Sequence, residues 1–413
     1  MNTLNDLPKL DTNKFDINQI ARTLVENLLN EVMSIQADEL CETLGTTRNG
    51  YRDRDLTTGI GKIVLHVPKI RAGTYFPEDI VERWSRTDTA LVSAICEMWV
   101  SGVSNRKVEK IVAELGIEKM SKNQVSRMCK QLDAEIDSMR NCDLYNDEWV
   151  YLWLDATYFP CRDNGSVKST ALVTAIAMNN KARRQVIGLS YFDTENYLDW
   201  RDFLMSLKAR GLNGVKLVIS DEHAGLIRAI KEIMIGASHQ RCIAHLEKNI
   251  YSRIKKKNIS GATIGALKVA FKETDPQLVE AGYNKAVSLL AKYDEKGADL
   301  LEEAKPYALA YLSFPKEHAR WIRTNNITER LNCELKRRSN VIQVFPNSLS
   351  MIRMAGAICC DYNDTWQAEK NFINRRSLQD LCPKERKHNI NNSDIKLIER
   401  SVEEKFEEIR IAA

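Results

Sequence analysis

Apolar positions recur at helical spacing between residues 15 and 44, where Ile20, Leu24, Leu28, Val32 and Ile35 predict one long helix. Gly45 and the polar run TTRNGYRDRDLTTGIG end that pattern. The stretch KIVLHVPKI (62–70) then alternates with a period of two, a strand closed near Pro68. Residues 88–133 return to helical spacing, with a helix from Ser104 to Leu115, a turn at Gly116 and a second helix for which Ser121 is the N-cap. After Leu144 the texture changes again. WVYLWLDATYF, STALVTAIAM and RRQVIGLSYF predict three strands, joined by short turns at Asp163–Gly165 and Asn179–Asn180. YLDWRDFLMSLKARGL is an amphipathic helix stopped by Gly211, VKLVIS is a fourth strand leading into a helix near His223, and ASHQRC is a short fifth strand. Residues 245–322 carry helical patterns almost throughout. A helix bearing TERLNCELKRRS follows, the chain turns polar from about Ile373, and a last helix spans Ile395 to Ile411.

Three meandering strands, helix, strand, helix, strand is an α/β pattern with a mixed sheet. It fits a ribonuclease-H-like mixed sheet core with an α-helical insertion, preceded by a mostly helical N-terminal DNA-binding region. The expected divisions are 1–87, an N-terminal helical and β region; 88–144, a helix-turn-helix-like region; 145–244 with 323–370, the catalytic core; 245–322, the helical insertion; and 371–413, a C-terminal tail with a helix.

The net charge of +4 does not by itself indicate a polyanionic partner. The distribution of charge does more. RIKKK (253–257) and LKRRS (335–339) are dense basic runs that suit a phosphate backbone, although solvated helix faces look the same. Around the early strand, Arg48, Arg52, Arg54, Lys62, Lys69 and Arg71 form a second basic set. Lys122, Asn123, Gln124 and Arg127 fall early on the second helix of the helical pair, where a helix-turn-helix presents its contacts to bases. Lys336, Arg337 and Arg338 are candidates for phosphate contact. Ten cysteines without a Cys-x-x-Cys pair, no signal-like start and no apolar run near the roughly 18 residues needed to cross a bilayer predict a cytoplasmic protein with free thiols and no membrane partner.

Two acids carry the chemistry. Asp155 sits in the middle of an aromatic and aliphatic strand, where a lone carboxylate is costly. Asp221 ends the fourth strand. First and fourth strands of such a sheet are neighbours, so the two acids come side by side and repel unless a cation joins them. Hard Mg²⁺ prefers carboxylate oxygens and keeps positions open for water and phosphate. Glu329, on the helix after the insertion, is the third candidate. Three such carboxylates predict two-metal phosphoryl transfer without a protein nucleophile. Each acid also has a plainer reading: a helix cap for Asp221, an arginine partner for Asp155, a surface position for Glu329. His239, Cys242 and His245 fall at three-residue steps, but a closed zinc site needs four ligands. A structural role or a place at the edge of the site is the expectation for them. Trp200 is expected in the core.

From about Arg48 to Trp366 the chain resembles the bacterial insertion-sequence transposases of the Mutator family. The resemblance is carried by NGYRDRDLTTGIGKIVLHVPKIRAGTYFP, VSGVSNRKVEKIVAELG, WLDATYF, LKARGLNGVKLVISDEHAGL, HQRCIAHLEKN and RTNNITERLNCELKRRSNVIQVFPN. It implies a DDE transposase in which Asp155, Asp221 and Glu329 match the three metal-binding acids, with Mg²⁺ (or Mn²⁺) as cofactor. Cys242 and His245 match the family's Cys-x-x-His pair. The implied partners are double-stranded DNA, both terminal inverted repeats and target, bound by at least a homodimer in a nucleoid-associated complex. Strand cleavage would free a 3′ hydroxyl that attacks target DNA. A non-catalytic DNA-binding regulator is the alternative, and a general ribonuclease-H-like nuclease a third. Where the family usually reads Thr-Thr-Asn-Pro-Ile-Glu, this chain has Thr324, Asn325, Asn326, Ile327, Thr328 and Glu329, and Pro160 and Cys161 replace a basic and an aliphatic residue.

Overall fold

The computed structural model describes residues 16–77, 80, 89–101, 103–114, 125, 128–163, 165–369, 371–378, 381 and 391–412. The chain forms two compact units, Met1–Ala134 and Glu135–Ala413.

In the first unit, helix α1 (Ile17–Leu44) starts on Asp16, whose carboxylate accepts the Gln19 N–H, and stops at Gly45 in the left-handed conformation. Strands β1 (Arg48–Thr58) and β2 (Gly61–Ile70) pair antiparallel as a hairpin. Gly61 turns the chain at φ +116°, and a Cβ there would stand 2.6 Å from the Arg22 guanidinium. Helix and hairpin close over Met33, Leu56, Ile63, Leu65 and Val67. The helical period in the sequence selects a different stripe. Leu24, Leu28 and Ile35 are exposed, while Met33, Ala37 and Cys41 face inward. The inward face is set by contact with β2, which the helix's own pattern does not encode.

Two further helices, α2 (Thr89–Val100) and α3 (Asn105–Glu114), pack through Leu91, Ile95, Val108 and Val112. The turn at Gly116, the cap at Ser121 and the candidate contacts Lys122, Asn123, Gln124 and Arg127 lie outside the described residues.

The second unit begins within α4 (Leu132–Asn141). Its sheet has strands β3 (Trp149–Asp163), β4 (Ser166–Asn179), β5 (Arg184–Phe192), β6 (Leu217–Ser220) and β7 (Ser238–Arg241), in the order β5-β4-β3-β6-β7. The first three pair antiparallel; β3–β6 and β6–β7 are parallel. Alternation divides β3 between two faces. Leu152 and Leu154 join the core beneath α5 (Tyr197–Ala209) and α6 (Ala224–Ile233), with Trp200, Phe203, Leu204 and Leu226. Trp200 is fully buried, worth about 2–3 kcal/mol of apolar transfer. Gly225 lets α6 start against α5, since a Cβ there would stand 2.7 Å from the Tyr197 backbone nitrogen. Tyr151 and Trp153 face the other way. The Tyr151 hydroxyl meets His318 Nδ1 at 2.8 Å, and the Trp153 indole donates to the Trp321 carbonyl.

That second face is covered by α11 (Asn326–Ile342) and α12 (Ser348–Ala368). Between β7 and α11 the chain is helical: α7 (Ile243–Arg253), α8 (Lys257–Ala270), α9 (Pro276–Ala291) and α10 (Glu295–Ala308), followed by short turns. The last helix, α13 (Asn392–Ala412), packs on α8 and α9 with Ile398, Val402 and Phe406 inward. Among the described residues no helix is long and apolar enough to cross a membrane.

Candidate active site

Register brings the two strand acids level. Trp153 on β3 pairs with Ile219 on β6; Asp155 lies two residues further along β3, and Asp221 follows Ser220, the last residue of β6. Alternation turns both toward the face of Trp153, the face that α11 covers. Asp155 is 8% exposed. Its Oδ2 accepts from the Asn332 amide at 2.7 Å. Burial pushes its carboxyl up to about 7, and the Asp221 charge adds to this. The Thr328 hydroxyl and the Ala156 N–H pull the other way, and Glu329 adds a smaller upward push. Thr328 Oγ1 also lies 2.8 Å from the Asn325 carbonyl oxygen, to which it donates, so the support its single proton gives Asp155 is divided. Asp221 is half-buried and accepts the His223 N–H at 3.2 Å. The cap of α6 is His223, not Asp221: His223 Nδ1 accepts from the Leu226 N–H. Among the described residues no arginine pairs with Asp155; its partners there are Asn332, Thr328 and the Ala156 N–H.

Glu329 enters on the first turn of α11. Its Oε1 is buried without a hydrogen bond and has Lys248 Nζ as a cation neighbour at 3.5 Å. The start of α11 is fixed by Asn325, which is fully buried. The Asn325 side-chain amide donates to the Leu154 carbonyl at 2.9 Å, one residue before Asp155. Its backbone N–H donates to Cys242 Sγ at 3.2 Å. One asparagine thus ties the helix of Glu329 to the strand of Asp155.

Cys242 and His245 separate in role. Burial pushes the Cys242 thiol up to about 11, so it stays protonated and serves as an acceptor in the latch with Asn325. His245 lies beside the acids. Burial lowers its pKa against opposing pushes from Asp221 and Glu329, and its Nδ1 is buried without a partner. His239 stands apart, with Nε2 2.9 Å from the Ser220 hydroxyl. Among the described residues no three or more His, Cys, Asp or Glu side chains are gathered tightly enough to share one metal ion. The donor set still suits a hard divalent ion: three carboxylates in electrostatic contact, one of them with an orphaned oxygen.

Of the candidate DNA contacts, Arg52 is exposed on β1 and Arg54 lies 5.4 Å from the Phe76 ring centroid. Lys336 and Arg337 are exposed on α11. Arg338 is turned inward and divides its charge between Glu334 and Asp361. The sequence reading missed Asn325 and Asn332. Their signal was present only as polar residues on a helix whose partner surface the sequence does not name.

The family model described as "Transposase, Mutator family" matches residues 4–369. The transposase for insertion sequence element IS1081 of Mycobacterium tuberculosis is 33% identical over 379 residues, 88% of this chain and 91% of the relative. The transposase for element IS256 in transposon Tn4001 of Staphylococcus aureus is 35% identical over 370 residues, 89% of this chain and 94% of the relative. A chain of the Drosophila P element transposase strand transfer complex covers 82% of this one at 14% identity, with a TM-score of 0.28 that is too low to establish a shared fold. With a family match running through both units and through all three acids, the chain belongs to the Mutator family of transposases.

Proposed function

We propose that this protein is a DNA transposase that binds the terminal inverted repeats of its own insertion sequence, cleaves the DNA ends and joins the 3′ ends to target DNA. The observation that carries the reading is the shared electrostatic field of Asp155, Asp221 and Glu329 where the adjoining strands β3 and β6 meet α11. The strand order supports a ribonuclease-H-like core for 145–244 with 323–370, interrupted by the helical block of 245–322. Asp155, Asp221 and Glu329 are the residues that would hold Mg²⁺ or Mn²⁺. Divalent ions bound there would neutralise charge on the phosphodiester and activate the attacking hydroxyl.

The protein's own residues prepare that site. Asn332 orients the Asp155 carboxylate. Asn325 and Cys242 fix the start of α11, so Glu329 approaches from a rigid turn. Burial keeps His245 neutral beside two acids, so it adds no fixed positive charge that would compete with a cation. Double-stranded DNA would lie on the basic surfaces, with Arg52 and Arg54 and the segment 122–127 on the repeats and Lys336 and Arg337 near the cleaved end. Joining two ends requires two copies, so the working form is at least a dimer on DNA.

The test uses purified full-length protein, Mg²⁺ and DNA ends from the sequence flanking its own gene. Wild type should cleave and transfer strands, while Asp155→Asn binds the same ends and transfers nothing. Equal outcomes for wild type and variant would instead fit a non-catalytic regulator, and cleavage of DNA without the repeats a general nuclease.

A further inference from the structure

Beside the first turns of α11 is a cavity of about 490 Å³ that the proposed chemistry leaves unused. Its size falls in the ~300–1,000 Å³ range of small-molecule sites. Trp321, Trp366 and Phe372 line it together with Arg184, Arg320 and Arg330. The Trp321 and Phe372 ring centroids are 4.4 Å apart. The Arg184 guanidinium stands 4.4 Å from the Trp366 centroid and 4.5 Å from that of Phe372, and Glu369 pairs with it. Arg320 lies 4.5 Å from the Trp321 centroid.

Position makes the cavity relevant. Asn326, Ile327 and Arg330, from the first turn and a half of α11, form part of its wall, and Glu329 leaves the same turn toward the acids. The cavity and Glu329 therefore share the first turns of the same helix. The lining's charged groups are three arginines and one carboxylate, Glu369. A free anion would find the guanidinium groups but has no use for four aromatic rings, Tyr362 being the fourth. An apolar ligand would use the rings but not the arginines. A planar base joined to a phosphate uses both, by stacking on aromatic faces and by charge-assisted contact with guanidinium.

Resting on the DNA transposase reading above, we infer that this cavity receives one unpaired nucleotide of the DNA end, its base against Trp321 and Phe372 and its phosphate on Arg320 or Arg330. A base inside a duplex cannot reach the cavity, so the nucleotide must leave the stack first, at a cost that stacking on the rings offsets. Seating it would fix the scissile bond relative to Glu329.

The experiment uses end DNA carrying an unpaired flap with 2-aminopurine, with metal omitted so that no strand is cut. Stacking in the cavity should quench the fluorescence of the bound probe. Trp321→Ala should abolish the quenching and weaken flap binding about tenfold, the factor expected for one lost base stack. Trp321→Phe should keep both, and Arg330→Gln, on the exposed rim, should weaken flap binding in a folded protein. Thermal melting of each variant separates unfolding from lost contact. Cleavage of paired ends with Mg²⁺ is measured in parallel. Cleavage by wild type without quenching overturns the cavity inference alone. Quenching without cleavage overturns the transposase reading alone, and the absence of both overturns both.

Discussion

Asn332 reaches from α11 to Asp155, its amide 2.7 Å from Oδ2, and so joins the helix of Glu329 to the strand of the buried acid. Asn332→Ala removes the donor that orients this carboxylate. Loss of such a supporting hydrogen bond typically costs about 10- to 100-fold in metal affinity. The Mg²⁺ concentration for half-maximal cleavage should rise by that factor, with stability lower by about 1 kcal/mol and DNA binding unchanged. A Mg²⁺ titration identical to wild type would mean that Asn332 does not position Asp155.

Asp155 itself makes stability depend on pH. Its carboxyl lies at about 7 in the folded protein against 3.8 for the free group, so the folded state keeps a proton that the unfolded chain has already released. The sign follows. Below about pH 4 the group costs nothing, and the metal-free protein loses stability as pH rises toward 7. Asp155→Asn removes that penalty. With chelator present, the variant should melt above wild type at pH 8, and the gap should close near pH 4. The span from 3.8 to about 7 caps the gain at roughly 4 kcal/mol, and relaxation should leave about 1–2. Thermal unfolding across this range checks it, and a gap that does not vary with pH contradicts it.

Much of this site could be read from residues alone. An acid in the middle of WVYLWLDATYF and another at the end of VKLVIS are conspicuous because their neighbours are apolar, and the strand order then makes them adjacent. Asn325 and Asn332 gave no such signal. A polar residue on a helix reads as solvent-facing until the sheet beneath it is known, and both are buried against β3. Helix α12 was equally hard to see. Ten consecutive residues, Met351–Cys360, are buried, so no polar face marks a helical period. In α1 the period is visible but the inward face is not, because Met33 packs with Ile63, Leu65 and Val67 of β2 while Leu24 and Leu28 stay exposed. The three-residue spacing of His239, Cys242 and His245, for which a structural or site-edge role is the expectation, is likewise decided by the elements around it. A strand ends and a helix begins between them, so even spacing does not bring them together.

The Cys242 thiol accepts the Asn325 N–H at 3.2 Å and stays protonated, with its pKa up to about 11. That chemistry suits a latch and not a thiolate ligand. Purified protein should carry no stoichiometric zinc, and a zinc-selective chelator should leave its melting temperature unchanged. Cys242→Ala should cost about 1–3 kcal/mol, because the buried N–H loses its acceptor, and Cys242→Ser should cost less. One zinc ion per chain, lost together with the fold on chelation, would defeat the latch.

Neighbouring basic residues on α11 should separate by function. Lys336 and Arg337 are exposed, and Arg337 makes a surface pair with Glu334 worth little by itself. Arg338 is buried to 14% side-chain exposure between Glu334 and Asp361. The Glu334 carboxylate is held down to about 2, chiefly by its hydrogen bond to Arg337 and then by Arg338. Lys336→Ala or Arg337→Ala should weaken binding to all DNA sequences alike, lower the salt dependence of log K by about one contact, and change stability by no more than about 0.5 kcal/mol. Arg338→Ala should do the reverse, costing about 1–2 kcal/mol of stability through a half-buried charged pair while leaving the salt slope unchanged. Binding titrations at several salt concentrations, paired with melting curves, separate the two. A reduced slope for Arg338→Ala with unaltered melting would place this arginine on DNA instead.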